Sequence, residues 1–410
     1  MRDQSLAAFL STFAKLGVLS FGGPAAQIAL MHRLLVEERR WLNEQQFTGA
    51  LSFCMLMPGP EAMQLATYAG WRLKGMVGGL IAGVFFILPG AFVIWALALA
   101  YIKYGNLYEV KAAFLGIKAA VIVIVFHALI KLTDRALKDI WMLVIAGLAF
   151  VGIFFLNFPY PVILATAALL GACLFSKHGE MVGVEMPKDS KPLQTVLVGL
   201  CFWLAPLGVL FYFKQAFLIE LVIYFGQLAI FSFGGAYALL GWMTQTIVQE
   251  HGWITTTQMV DALGLAETTP GPLILVTQFV SHLAGYTKGG LVFATAAGLL
   301  TLWAVFVPCF TMVFVGAPYL EVILAMPRLR AALTGVSAAV IGVIASLSLW
   351  FAISVLSPKG LEAGAASLNW AAVALLGSAL ILARTTNGNL FVTIFGSAIL
   401  GYIGFLTGLI

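Results

Sequence analysis

Charge is what this sequence has least of. Of its 410 residues, 10% are charged and 61% are apolar, and the mean hydropathy is +1.01. A soluble domain could not bury that much apolar surface, so the composition excludes an ordinary soluble protein and indicates an integral membrane protein. The formal net charge of +5 comes mostly from Lys and Arg in loops, which indicates membrane topology rather than nucleic-acid binding.

Cysteine is also scarce. Cys54, Cys173, Cys201 and Cys309 all lie in apolar segments, and none belongs to a Cys-x-x-Cys pair. We therefore predict packed thiols, without a metal site or a disulfide. The Gly-x-x-x-x-Gly-Lys-Ser/Thr loop that binds nucleotide phosphates is missing, and we predict no cofactor. The first apolar run extends past the length of a signal-peptide core, so we predict no cleavable signal.

Long apolar runs make up most of the chain. Most reach about 20 residues, enough to cross a ~30 Å hydrocarbon layer as a helix, whereas lipid offers no partners for open strand edges. The sequence therefore predicts an all-α polytopic membrane protein. The predicted segments lie at about 5–31, 47–70, 76–102, 110–131, 139–157, 159–175, 193–213, 217–243, 258–284, 290–316, 329–356, 367–383 and 388–409.

The stretch from Phe21 to Pro60 occurs twice. Phe21-Gly22-Gly23-Pro24, Trp41 and Pro58-Gly59-Pro60 have counterparts 212 positions later in Phe233-Gly234-Gly235, Trp253 and Pro270-Gly271-Pro272. Across windows 13–60 and 225–272, 17 of 48 positions are identical without a gap. Shared apolar composition does not explain this match, which we interpret as an internal duplication. Later pairs extend it: Ala69-Gly70 with Ala284-Gly285, Lys74-Gly75 with Lys288-Gly289, and Gly116 with Gly335.

The duplication predicts an N-terminal repeat at 1–192, a linking transmembrane helix at 193–214 and a C-terminal repeat at 215–410. Each repeat has six apolar segments and one extra span joins them, so the second repeat enters the membrane upside down, as in many secondary transporters. If the two broken runs of each repeat are re-entrant hairpins, loop Lys and Arg divide 15 inside to 5 outside; full crossings give 12 to 8. The positive-inside rule favours the hairpins.

Glycine and proline interrupt the first two runs of each repeat. Glycine lacks side-chain restraint and proline lacks an amide hydrogen, so a helix should break there. Helices that begin after such breaks would present free amides and about half a positive charge in mid-membrane, where a compact anion is the natural ligand. The alternative is that these residues only let helices kink or pack closely. The predicted contact residues are Gly22, Gly23, Pro24, Pro58, Gly59, Pro60, Gly234, Gly235, Pro270, Gly271 and Pro272.

Two lysines fall inside apolar runs. An intramembrane cation costs about 2.5–3.5 kcal/mol, so Lys15 and Lys118 are candidates for binding the anion. Their counterparts in the second repeat are Gln227 and Ser337, so the positive charge is on one side of the pseudo-symmetry. Either lysine could instead extend towards the membrane surface.

Other polar residues lie close to the Pro-Gly-Pro breaks. Gln64, together with Thr67, Thr268 and Thr269, could donate hydrogen bonds to an oxyanion or only bridge helices. Glu61 and Glu267 flank the two breaks. We expect these carboxylates to cap a helix, to couple proton movement to anion movement, or to neutralise Lys15 or Lys118.

Three motifs resemble the hallmarks of the chromate ion transporter superfamily in its long two-domain form. They are Phe21-Gly22-Gly23-Pro24, Arg40-Trp41 and the run from Met57-Pro58-Gly59-Pro60-Glu61 to Ala66. The resemblance spans essentially the whole chain. It implies a multi-pass transporter, not an enzyme, that exports chromate across the bacterial inner membrane and gives chromate resistance. The second repeat departs from the motifs at Ala236 and Leu273-Ile274, which suggests that the N-terminal half carries more of the site.

Export needs no ATP, because a dianion that leaves a negative interior gains about 4.6 kcal/mol per 100 mV. The implied partners are chromate or a similar oxyanion and the lipid bilayer, without nucleic acid; a homodimer stays open. One alternative is a carrier of sulfate or another oxyanion. Another is a membrane-embedded enzyme, for which only Glu37-Glu38-Arg39-Arg40 offers a polar cluster, and a solvated turn explains that cluster better.

Overall fold

The computed structural model describes residues 5–176, 191–233, 236–358, 368–386 and 388–409. Within these ranges the chain is helical and has no strand, which confirms the all-α architecture. Five helical stretches are long and apolar enough to cross a membrane: Glu61–Tyr104, Tyr108–Asp134, Pro192–Tyr212, Leu273–Ala325 and Pro327–Leu356. The chain is thus a multi-pass membrane protein. Gly234 and Gly235 of the predicted site lie outside the described residues.

A helix ends at each of the four glycine and proline breaks that the sequence predicts. Short π-helical turns, Arg33–Glu38 and Thr244–Glu250, extend α2 and α10, and 3-10 turns at Leu273–Leu275 and Ala317–Tyr319 flank α12. In chain order the helices are α1 (Leu6–Leu19), α2 (Gly23–His32), α3 (Glu44–Leu56), α4 (Glu61–Tyr104), α5 (Tyr108–Ala136), α6 (Ile140–Phe154), α7 (Tyr160–Leu174), α8 (Pro192–Tyr212), α9 (Ala216–Ile230), α10 (Ala236–Met243), α11 (Thr256–Thr268), α12 (Val276–Gly316), α13 (Leu320–Ala325), α14 (Pro327–Leu356), α15 (Trp370–Thr385) and α16 (Leu390–Leu406).

The two broken runs of the first repeat fold back on themselves. The rings of Phe9, near the start of α1, and Trp41, beyond the π turn, lie 6.3 Å apart. A continuous helix would separate them by roughly 48 Å at 1.5 Å per residue. Further along the chain, Lys74 brings its Nζ to 5.9 Å from the Phe9 ring. The chain therefore leaves this point and returns to it twice, so both runs are hairpins with the breaks at their tips.

A sharp reversal at Lys74 and Gly75 divides α4 into two antiparallel arms. Gly75 has a φ of 65°, which glycine adopts without strain. A Cβ on Gly83 in the second arm would lie 2.4 Å from Oγ1 of Thr67 in the first, although one continuous helix would hold these residues about 24 Å apart. The boundary that the sequence places between segments 47–70 and 76–102 falls at this reversal.

The second repeat reverses in the same way inside α12. Gly290 has a φ of 72°, and a Cβ on Gly298 would lie 1.9 Å from the His282 ring. The equivalent of Gly75 is therefore Gly290, and the sequence match of Lys74-Gly75 with Lys288-Gly289 is wrong by one position. The equivalent positions lie further apart later in the chain. The internal prolines of α4 and α12 are Pro89 and Pro308, and from there onward the offset between the repeats is 308 − 89 = 219.

Matching N-caps begin the second hairpin of each repeat. The amides of Asn43 and Gln46 donate to each other's side-chain oxygens at 3.1 and 2.8 Å. Thr255 and Gln258, 212 positions later, make the same reciprocal pair at 2.8 and 3.2 Å. This capping box satisfies two otherwise unpaired amides, so it determines where α3 and α11 begin.

The chain packs as two compact units, and each takes helices from both repeats. The first unit comprises Met1–Trp95, Ala168–Ala236 and Thr269–Val336, and the second comprises Ala96–Ala167, Tyr237–Thr268 and Ser337–Ile410. Phenylalanines fill the core of the first unit, where Phe13 and Phe225 are completely buried. In the second unit, Gly116 of α5 packs so closely on α16 that a Cβ would lie 1.8 Å from the Ser397 carbonyl oxygen.

Candidate oxyanion site

The breaks of the two repeats meet in pairs within the first unit. The Gly271 amide donates to the Ser20 carbonyl oxygen at 2.9 Å, and the Gly59 amide donates to the Ser232 carbonyl oxygen at 3.1 Å. The same 212-residue offset relates these two hydrogen bonds. Each Phe-Gly-Gly break is therefore tied to the Pro-Gly-Pro break of the other repeat.

Gln27 adds hydrogen bonds to one of the two pairs. This side chain is buried, and its Nε2 donates to the carbonyl oxygens of Ser20 at 3.2 Å and Gly271 at 2.7 Å. Its counterpart in the second repeat is Leu239, whose side chain has no amide group to donate. Among the described residues, this side-chain reinforcement is seen at the Ser20–Gly271 pair.

The start of α2 offers uncapped amides beside open space. Gly22 and Gly23 have φ values of 88° and 77°, which strain any residue with a Cβ. Pro24 lies in the first turn, and no side chain in the described part of the chain caps this helix, whereas Ser5 and Asn43 cap α1 and α3. Among the described residues, a Cβ on Gly23 would have no other atom within 4 Å. Uncapped amides with room in front of them suit a compact anion.

The Pro58-Gly59-Pro60 break is tightly packed. Gln64 donates its Nε2 to the Pro58 carbonyl oxygen at 2.6 Å, and its Oε1 is buried without a hydrogen-bond partner among the described residues. A Cβ on Gly59 would lie 2.9 Å from the Cys309 Sγ. One N–H of Gln64 is thus committed to the backbone, and its unpaired oxygen is an acceptor, which an oxyanion cannot use.

The second Pro-Gly-Pro break is packed in the same manner. A Cβ on Gly90, in the second arm of α4, would lie 2.1 Å from the Pro270 carbonyl oxygen. Gly90 and Cys309 are related by the later 219-residue offset. The middle of each long helix therefore supports the Pro-Gly-Pro break of the opposite repeat.

The two carboxylates near these breaks have different surroundings. Glu61 is the first residue of α4 and is partly buried, so its charge lies at the positive end of that helix. Glu267 is buried, and its Oε1 accepts a hydrogen bond from the Tyr237 hydroxyl at 2.5 Å. Among the described residues, no ion pair joins either carboxylate to Lys15 or Lys118.

The two intramembrane lysines differ as well. Lys15 lies on the exposed side of α1. Lys118 brings its Nζ to 3.1 Å from Asp261 Oδ1, and the two side chains are 13% and 4% exposed. The Tyr101 hydroxyl donates to Asp261 Oδ2 at 2.7 Å. Asp261, rather than Glu61 or Glu267, therefore neutralises Lys118, and the three contacting residues all belong to the second unit.

Sequence reasoning missed both Gln27 and Asp261. Their counterparts in the repeat are Leu239 and Gly49, so a search for duplicated residues passes over them. The signal that could have found them was a polar side chain inside a predicted apolar segment, which is also the signal that singled out Lys118.

Hydroxyls and thiols near the breaks have other roles. Thr67 and Thr268 donate back to carbonyl oxygens of their own helices, at 3.0 Å to Met63 and 2.8 Å to Leu265, so neither is available to an oxyanion in this conformation. Cysteines 54 and 309 are buried, as predicted, whereas cysteines 173 and 201 are exposed. The prediction of packed thiols therefore holds for two of the four cysteines.

Comparison with known proteins agrees with the duplicated architecture. The family model described as chromate transporter matches residues 7–172 and 219–402, one segment in each repeat. A probable chromate transport protein of Synechococcus elongatus is 32% identical over 343 residues, which is 83% of each chain. The chromate transport protein of Pseudomonas aeruginosa is 32% identical over 349 residues, covering 82% of this chain and 79% of the relative.

A third relative, the chromate transport protein of Cupriavidus metallidurans, is 31% identical over 340 residues, covering 81% of this chain and 79% of the relative. No solved structure matches the chain. The family match extends over most of the sequence and includes every break described above. The chain therefore belongs to the chromate transporter family.

Proposed function

We propose that this chain carries chromate, or an oxyanion of the same shape and charge, out of the cytoplasm across a bacterial inner membrane, and that cells expressing it resist chromate. Membership of the family and the names of three relatives support chromate as the substrate. The observation that carries the site is the reciprocal pairing of four helix breaks beside the uncapped start of α2.

The anion binds at the start of α2 in this proposal. Pro24 has no amide hydrogen, so the donors at the start of the helix are the amides of Gly22, Gly23 and Ala25, which have no partner within the helix. Gly22 and Gly23 leave the approach open because they have no side chains. The remaining break residues hold the geometry: Pro58, Gly59, Pro60, Pro270, Gly271 and Pro272.

Membrane potential is sufficient to drive the export. A dianion leaving a negative interior gains about 4.6 kcal/mol per 100 mV, equivalent to more than three decades of concentration ratio at 1.4 kcal/mol per decade. Uptake of the same dianion would have to overcome this free energy through coupling to protons or sodium. The sign of the potential therefore favours the outward direction.

Two glycines with similar φ values allow the site to be tested. Gly23 and Gly290 have φ values of 77° and 72°, and a Cβ on either would have no other atom within 4 Å. The positive φ strains alanine at both positions, and neither substitution causes a clash among the described residues. Only Gly23→Ala places a methyl group in front of the α2 amides.

The measurement is chromate accumulation in cells that express the wild type or either variant at matched levels, with and without excess sulfate. We expect the wild type and Gly290→Ala to lower accumulation and Gly23→Ala to lose most of that effect. Equal activity of the two variants would remove the start of α2 from the site. If the wild type raised accumulation and sulfate blocked the rise, the chain would be an oxyanion importer.

A further inference from the structure

A buried group of three polar side chains lies in the second unit. Lys118 of α5 pairs with Asp261 of α11, and the Tyr101 hydroxyl of α4 holds the other carboxylate oxygen. Oδ1 of Asp261 faces Lys118 and accepts no hydrogen bond from an uncharged group among the described residues. We call these three residues the Lys118 triad.

The positions that the duplication relates to the triad carry no charged side chain, and Ser337 stands in place of Lys118. Asp261 corresponds to Gly49 by the offset of 212, and Tyr101 corresponds to Leu320 by the later offset of 219. In the first unit, a Cβ on Gly49 would lie 3.9 Å from Leu320 Cδ2. The same packing contact is thus made by apolar atoms, so packing does not require the triad.

Stability does not account for the charges either. A buried ion pair is often no more stabilising than well-packed apolar residues of similar volume, because both ions lose their hydration. Charges within a membrane protein are costly and usually face a substrate or proton path. The triad is therefore better explained by transport than by folding.

We propose that Lys118 and Asp261 form a proton-linked subsite for the transported oxyanion, which pairs with Lys118 once Asp261 has taken up a proton. This rests on the proposed function, since the ligand is the same anion. While Asp261 is ionised, it neutralises Lys118 and repels a further anion. A proton on Oδ1 removes that repulsion and leaves Lys118 with an unbalanced positive charge, while Tyr101 continues to donate to Oδ2.

The proton and the anion therefore bind with positive coupling, and each raises the affinity for the other by the same factor. The proton adds to the carboxylate and the anion replaces that carboxylate as the partner of the ammonium group, so the neutral subsite becomes singly positive with the proton and singly negative with the dianion. One proton bound with each chromate halves the net charge of the occupied site.

Among the described side chains, other titratable groups on the packed elements do not reach Asp261. Glu267, on α11 itself, is held by Tyr237. The rest are exposed or lie towards helix ends: Glu109, Lys111, His127, Lys131 and Asp134 on α5, Glu250 on the π turn and Tyr402 on α16. Lys118 and Tyr101 are thus the groups that govern protonation of Asp261.

The test is the apparent KM for chromate of the purified protein in proteoliposomes, at two pH values one unit apart and both high enough for chromate to remain a dianion. In the wild type we expect KM to rise about tenfold per pH unit, because one proton binds with each anion. Asp261→Asn resembles the protonated residue, so its KM should stay low and should not change with pH.

Two further variants keep the proposal testable if Asp261→Asn folds poorly. Tyr101→Phe retains both charges but loses the hydroxyl that stabilises the ionised carboxylate. Asp261 should then hold its proton up to a higher pH, so the tenfold rise of KM per pH unit should begin at a higher pH than in the wild type. Lys118→Gln should raise KM at least tenfold and abolish the slope. A wild-type slope in Asp261→Asn, or a wild-type KM independent of pH, would overturn the subsite while leaving chromate transport intact. A wild type that moved no chromate at either pH would instead refute the proposed function.

Discussion

At the scale of single residues, the repeats differ in how they tolerate one backbone conformation. Arg40 and Gly252, 212 positions apart, have φ values of 53° and 58°. Glycine adopts this left-handed conformation freely, whereas a residue with a Cβ is destabilised by about 1–2 kcal/mol. The Arg40 side chain is exposed, while Arg39 lies 5.8 Å from the centre of the Trp41 ring. The first repeat therefore carries local strain that the second avoids.

We expect Arg40→Gly to raise the free energy of unfolding by about 1 kcal/mol, because it relieves this strain and removes no buried contact. Thermal unfolding of the purified protein in detergent measures the change. Arg39→Gly is the control, and it should lower stability because it loses the contact with Trp41. A loss in Arg40→Gly as large as that in Arg39→Gly would contradict the argument.

His32 links the stability of the polar turn to pH. Its Nε2 lies 2.8 Å from Glu44 Oε2 and its Nδ1 lies 3.2 Å from Glu37 Oε1. The hydrogen bond to Glu44 is the main reason that the pKa of His32 is raised above 6.5. Because the folded-state pKa exceeds the unfolded one, the contribution to stability is complete below pH 6.5 and is lost as the pH rises through the folded-state pKa.

The melting temperature of the wild type should therefore exceed that of His32→Gln at acidic pH, and the difference should shrink as the pH rises. Replacing Glu37, the more distant carboxylate, by Gln should alter this pH dependence less than replacing Glu44 by Gln. A difference in melting temperature that is the same at every pH would show that the two carboxylates do not act through the charge of His32.

Residue-level roles were the hardest to predict. Lys118 was found because a cation inside an apolar segment is conspicuous, but its partner was not. Asp261 lies near the start of the predicted segment 258–284, and its counterpart is a glycine. An ion pair depends on which helices become neighbours, and no local pattern in α5 or α11 specifies that.

At the scale of helices, close packing in the second unit depends on small residues. A Cβ on Gly116 would collide with the Ser397 carbonyl oxygen, and a Cβ on Gly401 would lie 2.3 Å from that of Ala112. Such contacts let α5 and α16 approach backbone to backbone, as small residues do in membrane helix pairs. Gly147 of α6 is different, because a Cβ there would meet nothing within 4 Å.

Gly116→Ala should therefore lower stability by about 1–3 kcal/mol, because the helices have to separate. Gly147→Ala is the matched control, and alanine should stabilise its helix by up to about 1 kcal/mol. The half-life of each variant at raised temperature in detergent gives the comparison. Equal half-lives would mean that α16 can move away from α5 without loss.

The positions of the breaks were predictable, whereas the path of the chain was only partly so. Glycine and proline mark where α1 and α3 end, because those residues oppose a helix whatever surrounds them. A break is equally compatible with a kink and with a return, and loop charges alone favoured the hairpins. The one-residue error at Lys288-Gly289 arose because the matched side chains are identical while the turn lies at Gly290.

At the scale of the whole molecule, the predicted halves and the compact units divide the chain differently. The boundaries 1–192, 193–214 and 215–410 follow the duplication, yet each unit takes helices from both repeats. Sequence similarity reveals descent from one ancestral segment. It does not reveal which copies of the helices pack together, because an apolar helix face can be buried equally well against a helix of its own repeat or against the equivalent helix of the other repeat.

This arrangement makes a prediction for a divided protein. If the chain is cut within residues 177–190 and the two pieces are expressed separately, neither should lower chromate accumulation, since each would lack partners for its breaks. Expressed together, the pieces should copurify through a tag on either one and restore part of the effect. Full activity of the N-terminal piece alone would show that the hydrogen bonds between breaks are dispensable.

The reciprocal hydrogen bonds between the breaks also bear on energy balance in a carrier built from inverted copies. If the copies were identical, exchanging their roles would convert the form open to one side of the membrane into the form open to the other, and the two would be equally populated. Gln27 binds Ser20 and Gly271, while Leu239 offers nothing comparable to Ser232 and Gly59. We therefore expect the side to which the empty carrier opens to be decided by the few amides and charges that the copies do not share.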